Sequence, residues 1–428
     1  MASTFGAYVA RAEGRRLLGG MEQVDVLVVG AGQAGLSLSN ELTRAGVEHV
    51  VLERGRIGQS WRDRWDSFCL VTPNWAIQLA HAGYDGDDPD GFMPRDEIAA
   101  FLERYASGFG APVHENVDVT AIRRSDGGFA VDTTTGPMRA RRVALACGAF
   151  QRPNRPAGAK TLPAAIQQLD VGDYRNPDAL PSGAVLVVGS GQSGCQVAEE
   201  LREVGREVVL SCGRAPWIPR RIGGRDVVWW VMETGFLDQT VESLPDPRAR
   251  LWANLQNTGH GGGHDLNCRT LRAMGVTLAG RFQGAEGGWL HFAPDLAESV
   301  SWGDDTYRLI AAQIRQLVAQ RGLPDPGLPE PEPFSGEGPE RLPVGGFGAA
   351  IFAGGFRPAY ASWLPWPEAF DEMGFPIHRD GESTVVPGLH FIGVHFLRKR
   401  KSSFLIGIGE DAGVVAARIA AGPATVRG

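Results

Sequence analysis

Two stretches of the chain pass through the same order of hydrophobic patterns. Val24 to Val29 is an apolar, β-branched run broken only by Asp25 and ending at Gly30; Leu36, Leu38 and Leu42 then fall in a helical pattern, and Val47 to Glu53 is a second apolar run that ends in an acid. This is the order strand, turn, helix, strand of one βαβ unit. It recurs when Ala184 to Val188 leads into Gly189, a helix carries Val197 and Leu201, and Glu207 to Leu210 forms the next strand. Between the two units, shorter runs at Val117–Ile122, Phe129–Thr133 and Arg142–Ala146 suit a small antiparallel excursion, and Pro153 and Pro156 mark a linker. Further on, Arg308 to Arg321 reads as an amphipathic helix. A connection with Pro324, Pro326, Pro329, Pro331 and Pro333 follows, and strand-like text returns at Ala349–Phe352. The expected fold is therefore α/β, with two Rossmann-like dinucleotide-binding domains, the second inserted into the first. Residues 1–20 read as a loose N-terminal extension. Residues 21–160 and 340–428 read as the first domain, with its last strands near Ile351 and Phe391 and a closing helix from Asp411 to Ala421. Residues 161–339 read as the second domain with a helical insertion.

Length and composition agree with that division. At 428 residues the chain exceeds what one core usually serves. A formal charge of −7 argues against a nucleic-acid footprint, and Arg398-Lys399-Arg400-Lys401 is too short and isolated a cluster to reverse it. No uncharged apolar run reaches membrane-spanning length, so no membrane partner is expected. The 58 glycines suit many tight turns and close approaches to ligands. Cys69, Cys147, Cys195, Cys212 and Cys268 are odd in number and not paired in sequence. They suggest neither a disulfide framework nor a metal site and fit a reducing cytoplasm.

The chemistry sits at the two turns. Gly30-Ala31-Gly32-Gln33-Ala34-Gly35 matches GxGxxG between a strand and a helix, where glycines allow the tight turn and the approach of a pyrophosphate to the helix N-terminus. Glu53, 23 residues beyond Gly30, is placed to accept hydrogen bonds from an adenosine ribose. Gly189-Ser190-Gly191-Gln192-Ser193-Gly194 repeats the motif, but its second strand ends in Ser211-Cys212-Gly213-Arg214, without a carboxylate. A missing acid and a nearby arginine favour the 2′-phosphate of NADPH over NADH; the alternative reading of Arg214 is a solvated surface arginine. One flavin site and one nicotinamide site imply hydride transfer from NAD(P)H to FAD. The onward step of a dithiol reductase needs closely spaced cysteines, and no CxxC or CxxxxC is present. Cys69 and Cys195 read as small core residues, leaving molecular oxygen as the leading acceptor.

These motifs, with Gly58-Gln59-Ser60-Trp61-Arg62-Asp63-Arg64-Trp65-Asp66-Ser67 and Ala353-Gly354-Gly355-Phe356-Arg357-Pro358, resemble the class B flavoprotein monooxygenases. The chain is similar in particular to the bacterial group labelled "flavoprotein involved in K+ transport", from about Val24 to Ala421. The resemblance implies that NADPH reduces FAD, that oxygen adds at flavin C4a to give a (hydro)peroxyflavin, and that bound NADP+ shields it until a soft nucleophile or a carbonyl takes one oxygen atom. It places Ser60, Trp61 and Arg64 along the FAD pyrophosphate and ribityl chain and brings Thr72 and Asn74 to the isoalloxazine ring. It adds Arg54, Val119, Cys147, Gly148 and Gly393 to the FAD site, and Ser211 with Arg214 to the NADPH site. Trp61 and Trp65 read equally as core aromatics, and Asn74 as an Asx-turn residue beside Pro73. One departure stands out: the family carries a fingerprint His before its second Rossmann strand, and Asp170 occupies that position here. A carboxylate lacks the imidazole's donor at neutral pH.

The run Gly259 to Asp265 lacks the fixed geometry of a metal site and reads as a flexible lid, from which His264 and Asp265 are candidates to touch substrate or nicotinamide. Trp229-Trp230 and Trp363 to Trp366 read as core or interface. The preferred expectation is an FAD- and NADPH-dependent monooxygenase acting with O2 on the nitrogen, sulfur or carbonyl of a small molecule, with a homodimer allowed. An NAD(P)H-dependent flavin reductase or oxidase and a non-catalytic redox-sensing flavoprotein are the alternatives.

Overall fold

In the computed structural model, which describes residues 17–18, 21–334 and 336–422, both βαβ units form as the hydrophobic pattern requires. Residues 1–16 and 19–20 of the expected N-terminal extension lie outside the described residues, while Leu17–Leu18 pairs with Met21 and Glu22. The first sheet runs, from its far edge, His378–Arg379, Glu382–Ser383, Leu389–Phe391, Gly136–Leu145, Met21–Val29, His49–Leu52 and Val113–His114. Its five strands from Leu389–Phe391 to Val113–His114 are parallel. Val26, Leu27 and Val28 are fully buried because helices and loops cover both faces, as a parallel sheet demands. Val119–Ser125, Gly128–Thr133 and Gly136–Leu145 make the antiparallel excursion.

The second sheet is wholly parallel, in the order Gln167–Asp170, Phe347–Phe352, Ala184–Val188, Val208–Ser211 and Thr277–Ala279. Here the structure corrects one expectation. The strand holding Ile351 lies between Gln167–Asp170 and Ala184–Val188 in the second sheet, not in the first. Its place matches that of Gly136–Leu145 beside Met21–Val29; that strand is itself the third of its antiparallel excursion, whereas this one follows a separate three-stranded excursion, Phe282–Glu286, Trp289–Phe292 and Arg341–Pro343. The strand is needed there because Ala353 O would stand 2.6 Å from a Cβ on Gly189, as Ala146 O would stand 2.9 Å from one on Gly30. Each nucleotide turn is thus braced by the end of its own closing strand, and the chain re-enters the first sheet later, at His378. The two crossings between the domains, Arg152–Pro153 and Phe356–Arg357, pair antiparallel with each other.

The helix expected from Arg308 begins at Leu296 and spans 26 residues to Arg321. Its buried Tyr307, Ile310 and Ile314 meet Ile218 and Trp230 of the helical insertion and Ala76 and Ile406 of the first domain. The insertion is thereby packed onto both domains. Arg220, 1% exposed, seals that contact: its Nη2 lies 2.7 Å from Asp226 Oδ2, its Nη1 donates to Val71 O at 2.6 Å, and its guanidinium covers the Phe92 ring at 4.3 Å. Among the described residues no helix is long and apolar enough to cross a membrane.

Candidate functional site

The two glycine turns share one backbone plan. Gly30 and Gly189 have φ of +107° and +114°, conformations open to glycine and strained for side chains. Their N–H groups donate to Leu52 O and Ser211 O at 2.8 and 2.9 Å. A Cβ on Gly35 would lie 1.8 Å from Gly30 O, and one on Gly194 would lie 1.9 Å from Gly189 O, so both helices start hard against their own turns. Beside Gly32 the space is open, with nothing within 4 Å, and beside Gly191 the nearest atom is Ala253 Cβ at 3.7 Å. Gln33–Arg44 and Gln192–Glu203 both begin without a side-chain cap or an acidic residue in the first turn. Ser193, in the second of these turns, is partly exposed. Uncapped amides above an open glycine cradle are the arrangement an anionic pyrophosphate fills.

Around the first turn, Glu53 is buried and held in place: Oε2 accepts from Ala31 N at 2.8 Å and Oε1 from Gly55 N at 3.0 Å. Its remaining lone pairs are free for ribose hydroxyls. Val117 N donates to Glu53 O, bringing the start of the Val119–Ser125 strand beside it, with Arg54 exposed next to Glu53. Gly393, at φ +75°, abuts the helix start so closely that a Cβ would lie 2.6 Å from Ala34 Cβ. Cys147 N lies 3.4 Å from the position of a Cβ on Gly30, and Gly148 O accepts from Gln151 Nε2 and Tyr360 Oη, both at 2.7 Å. Gln33 Oε1 accepts from Trp61 Nε1 at 3.0 Å while its Nε2 donates to Ser403 O. Gln192 does the equivalent work in the second unit, donating to Leu255 O at 2.8 Å. Ser60 is exposed on the Gln59–Arg62 turn of helix. Arg64 carries the clearest mark of an anion: its Nε is buried with no partner among the described residues, and burial pushes its guanidinium below the ordinary value. These residues fit FAD, with Arg64 and the Gly32 cradle at the pyrophosphate and Glu53 at the ribose.

The expected site residues Asn74, Ser211 and Asp170 are otherwise engaged. Asn74 is buried, its Nδ2 donating to Asp88 O and its Oδ1 accepting from Met93 N, both at 2.8 Å, so its carboxamide stitches two loops. Thr72 lies between Val71, held by Arg220, and Pro73. Ser211 Oγ is enclosed, donating to Gly280 O at 3.0 Å and accepting from Phe282 N at 2.8 Å. Asp170 makes a two-pronged pair with Arg155, at 2.6 and 2.9 Å, that fastens the interdomain linker to the sheet edge. The Gly259–Asp265 run is packed rather than a free lid: a Cβ on Gly259 would strike Leu70 O at 2.0 Å and one on Gly263 the Phe92 ring at 2.6 Å. His264 Nε2 meets Glu199 Oε1 at 2.6 Å and Asp265 accepts from Arg220 N at 2.6 Å. Among the described residues no group of His, Cys, Asp and Glu is placed to hold a metal ion.

Beyond the second turn, Arg214 lines a cavity of about 320 Å³ with Arg281, Asp295, Glu298 and Ser299. Arg214 Nη2 lies 2.6 Å from Glu298 Oε1, and Arg281 pairs with Asp295. Sequence reasoning found Arg214 and missed Arg281, which follows the Thr277–Ala279 strand and so reaches the same cavity from the next strand along. Two exposed arginines, one beyond the ribose strand and one beyond its neighbour, fit a nucleotide 2′-phosphate.

Comparison with known proteins agrees with this geometry. Residues 27–231 match the pyridine nucleotide-disulphide oxidoreductase family. A CzcO-like uncharacterized oxidoreductase of Geobacillus kaustophilus is 32% identical over 399 residues, covering 91% of this chain and 96% of its own. A CzcO oxidoreductase of Bacillus subtilis is 28% identical over 392 residues, covering 91% and 96%. Among solved structures, a flavin-containing monooxygenase from Stenotrophomonas maltophilia shares the fold with a TM-score of 0.67 at 21% identity, over 94% of this chain and 99% of that one. With its two dinucleotide-binding domains, the chain belongs to the CzcO-like oxidoreductases.

Proposed function

We propose that this chain transfers one atom of O2 to a nitrogen, sulfur or carbonyl group of a small molecule, using FAD at the Gly30 turn and NADPH at the Gly189 turn. The observation that carries the reading is the difference between two otherwise matching turns: a pinned carboxylate, Glu53, at the first and an arginine-lined cavity at the second. When bound, the flavin supplies the redox chemistry, accepting a hydride from the nicotinamide and activating O2. The chain supplies position and shelter. Gly32, Arg64 and Glu53 hold one dinucleotide, and Gly191, Arg214 and Arg281 hold the other. The paired crossings Arg152–Pro153 and Phe356–Arg357 set the two domains against each other, with Asp170 and Arg155 fastening the first crossing. Arg220, drawn onto Val71 and Phe92, closes the helical insertion over the segment that carries Thr72 and so keeps water out.

The test is coupling. Amines, thioethers and ketones are screened for stimulated NADPH oxidation, and oxygenated product is counted against NADPH consumed and peroxide released. One product per NADPH with at least one class is expected. Peroxide in full proportion to NADPH with every class would leave a flavin oxidase, the reading favoured by the engagement of Asp170 in an ion pair where the family has an imidazole.

A further inference from the structure

The two nucleotide units also place two residues in equivalent positions. Glu53 directly follows the strand whose last carbonyl, Leu52 O, receives Gly30 N–H; Cys212 directly follows the strand whose last carbonyl, Ser211 O, receives Gly189 N–H. Cys212 thus stands where a ribose-facing acid stands in the first unit. Its Sγ lies 3.9 Å from Cys268 Sγ, although 56 positions separate the two in sequence. Cys212 is buried, and Cys268, the first residue of the Cys268–Ala273 helix, is partly exposed. The contact with Cys212, with help from Arg269 and Arg272 and against the effect of burial, holds the Cys268 thiol below its ordinary value, which favours the nucleophilic thiolate. The neighbouring Cys195 is committed elsewhere, donating to Ser190 O at 3.3 Å and receiving Gln256 Nε2 at 3.4 Å.

We propose that Cys212 and Cys268 form a reversible disulfide under peroxide, and that this bond controls nucleotide binding at the Gly189 turn. The Cys268 thiolate attacks one oxygen of hydrogen peroxide, the O–O bond breaks, and a sulfenic acid forms as hydroxide leaves and is protonated to water. The Cys212 sulfur then attacks the Cys268 sulfur; the S–S bond forms, the S–O bond breaks, and the hydroxyl departs as water with the Cys212 proton. Two thiols are oxidised and one peroxide is reduced to two waters. A dithiol reverses the change by exchange. A disulfide needs its sulfurs about 2.05 Å apart, so the pair must close by roughly half its present separation. That movement acts directly on the turn, because Gly213 N donates to Ser190 Oγ and Ser190 Oγ donates to Gly213 O, each at 3.1 Å. Arg214, the next residue, carries the motion into the phosphate cavity.

The control rests on the Gly189 turn being the NADPH site, and the experiment keeps the two apart. Holoenzyme is reduced, freed of reductant, exposed to a small excess of hydrogen peroxide, alkylated and digested, and NADP+ affinity is measured by equilibrium dialysis before and after. The expected result is a peptide joining Cys212 to Cys268, lighter by two hydrogen atoms than the free pair and reopened by dithiothreitol. It is expected to be absent in Cys268→Ser and in Cys212→Ala and retained in Cys195→Ala. NADP+ binding by the oxidised form is expected to weaken by on the order of tenfold, as coupled sites commonly do, and to recover on reduction. Sulfinic acid at Cys268 without a link, a disulfide through Cys195, or equal NADP+ affinity in both forms would overturn the proposal. Failure of the reduced enzyme to bind NADP+ would instead refute the site assignment and the control with it, while the linked peptide still decides the thiol chemistry.

Discussion

Replacing Arg214 by glutamine tests the nucleotide preference quantitatively. Two unit charges 4 Å apart attract by about 1 kcal/mol in water, and a phosphate carries about 1.5 to 2 charges. One arginine over the 2′-phosphate is therefore worth roughly 1.5 to 2 kcal/mol before competition. Arg214 is already paired with Glu298, and with side chains 60% and 65% exposed that pair contributes about 0.2 to 1 kcal/mol. The difference, about 1 kcal/mol, is close to fivefold in affinity. Arg214→Gln is thus expected to raise the NADPH concentration for half-maximal flavin bleaching by about fivefold and to leave NADH unchanged. The double change with Arg281→Gln should approach a loss of roughly 2 kcal/mol, about thirtyfold. Glu298→Gln removes the competitor and should move NADPH about twofold the other way. Anaerobic rapid mixing with each nucleotide reads all three variants, and the spread should shrink with added salt because the charges are exposed. Equal changes for NADPH and NADH would refute the phosphate role of the cavity.

Three further outcomes follow from named contacts. Arg64→Gln should weaken FAD retention by about 2 kcal/mol, the usual value of a hydrogen bond to a charged group, while the flavin-stripped protein keeps or gains stability on losing a buried Nε that has no partner; unchanged FAD affinity by ultrafiltration would refute the assignment. Asp170→Asn should lower stability by about 1 kcal/mol, as loss of a partly exposed two-pronged pair, with flavin reduction within a few-fold of the parent; a fall of a hundredfold or more, the scale of a lost acid or base, would show that Asp170 carries a proton in turnover. His390 is 2% exposed and burial, with Arg142 nearby, pushes its imidazole down to about 4. The unfolded chain takes up that proton near pH 6.5, so its contribution is fully present above that pH and is lost as pH falls toward 4, on the order of 3 kcal/mol. Denaturant midpoints across this range should fall less steeply in His390→Phe, and parallel curves would contradict the cause.

How far the molecule was legible from its sequence depended on whether a feature is local. Each strand, turn and helix of the nucleotide units lies within one short stretch, and the Ala184–Val188 strand came out with the bounds read from the pattern. The missed features join distant residues. Arg281 meets Arg214 only because their strands are neighbours in the sheet, and Cys268 meets Cys212 across the helical insertion. The polar side chains of Asn74 and Ser211 looked available because their type says nothing about direction, yet both face inward onto backbone groups. The first half of the Leu296–Arg321 helix was hidden by Gly303, a poor helix former that is needed where Ala215 O would stand 2.8 Å from a Cβ.

The Ile351 strand is the instructive case, because a run buried on both faces reads the same in any parallel sheet. Its ownership was nevertheless encoded one step further along. Gly136–Leu145 is followed by Ala146-Cys147-Gly148 and Phe347–Phe352 by Ala353-Gly354-Gly355, with the closing glycines at φ +67° and +79°. Ala146 N donates to Val29 O and Ala353 N to Val188 O, both at 2.8 Å. Each alanine packs against the third glycine of the turn it supports, its Cβ 3.3 or 3.2 Å from where a Cβ on that glycine would stand. The internal repeat therefore extends past the GxGxxG turns to the strands that close them, and a βαβ motif read together with its closing Ala-x-Gly assigns that strand to its own domain. The same comparison, carried one residue beyond the ribose strand, sets Cys212 against Glu53, which is why the second nucleotide site has a thiol pair where the first has a carboxylate.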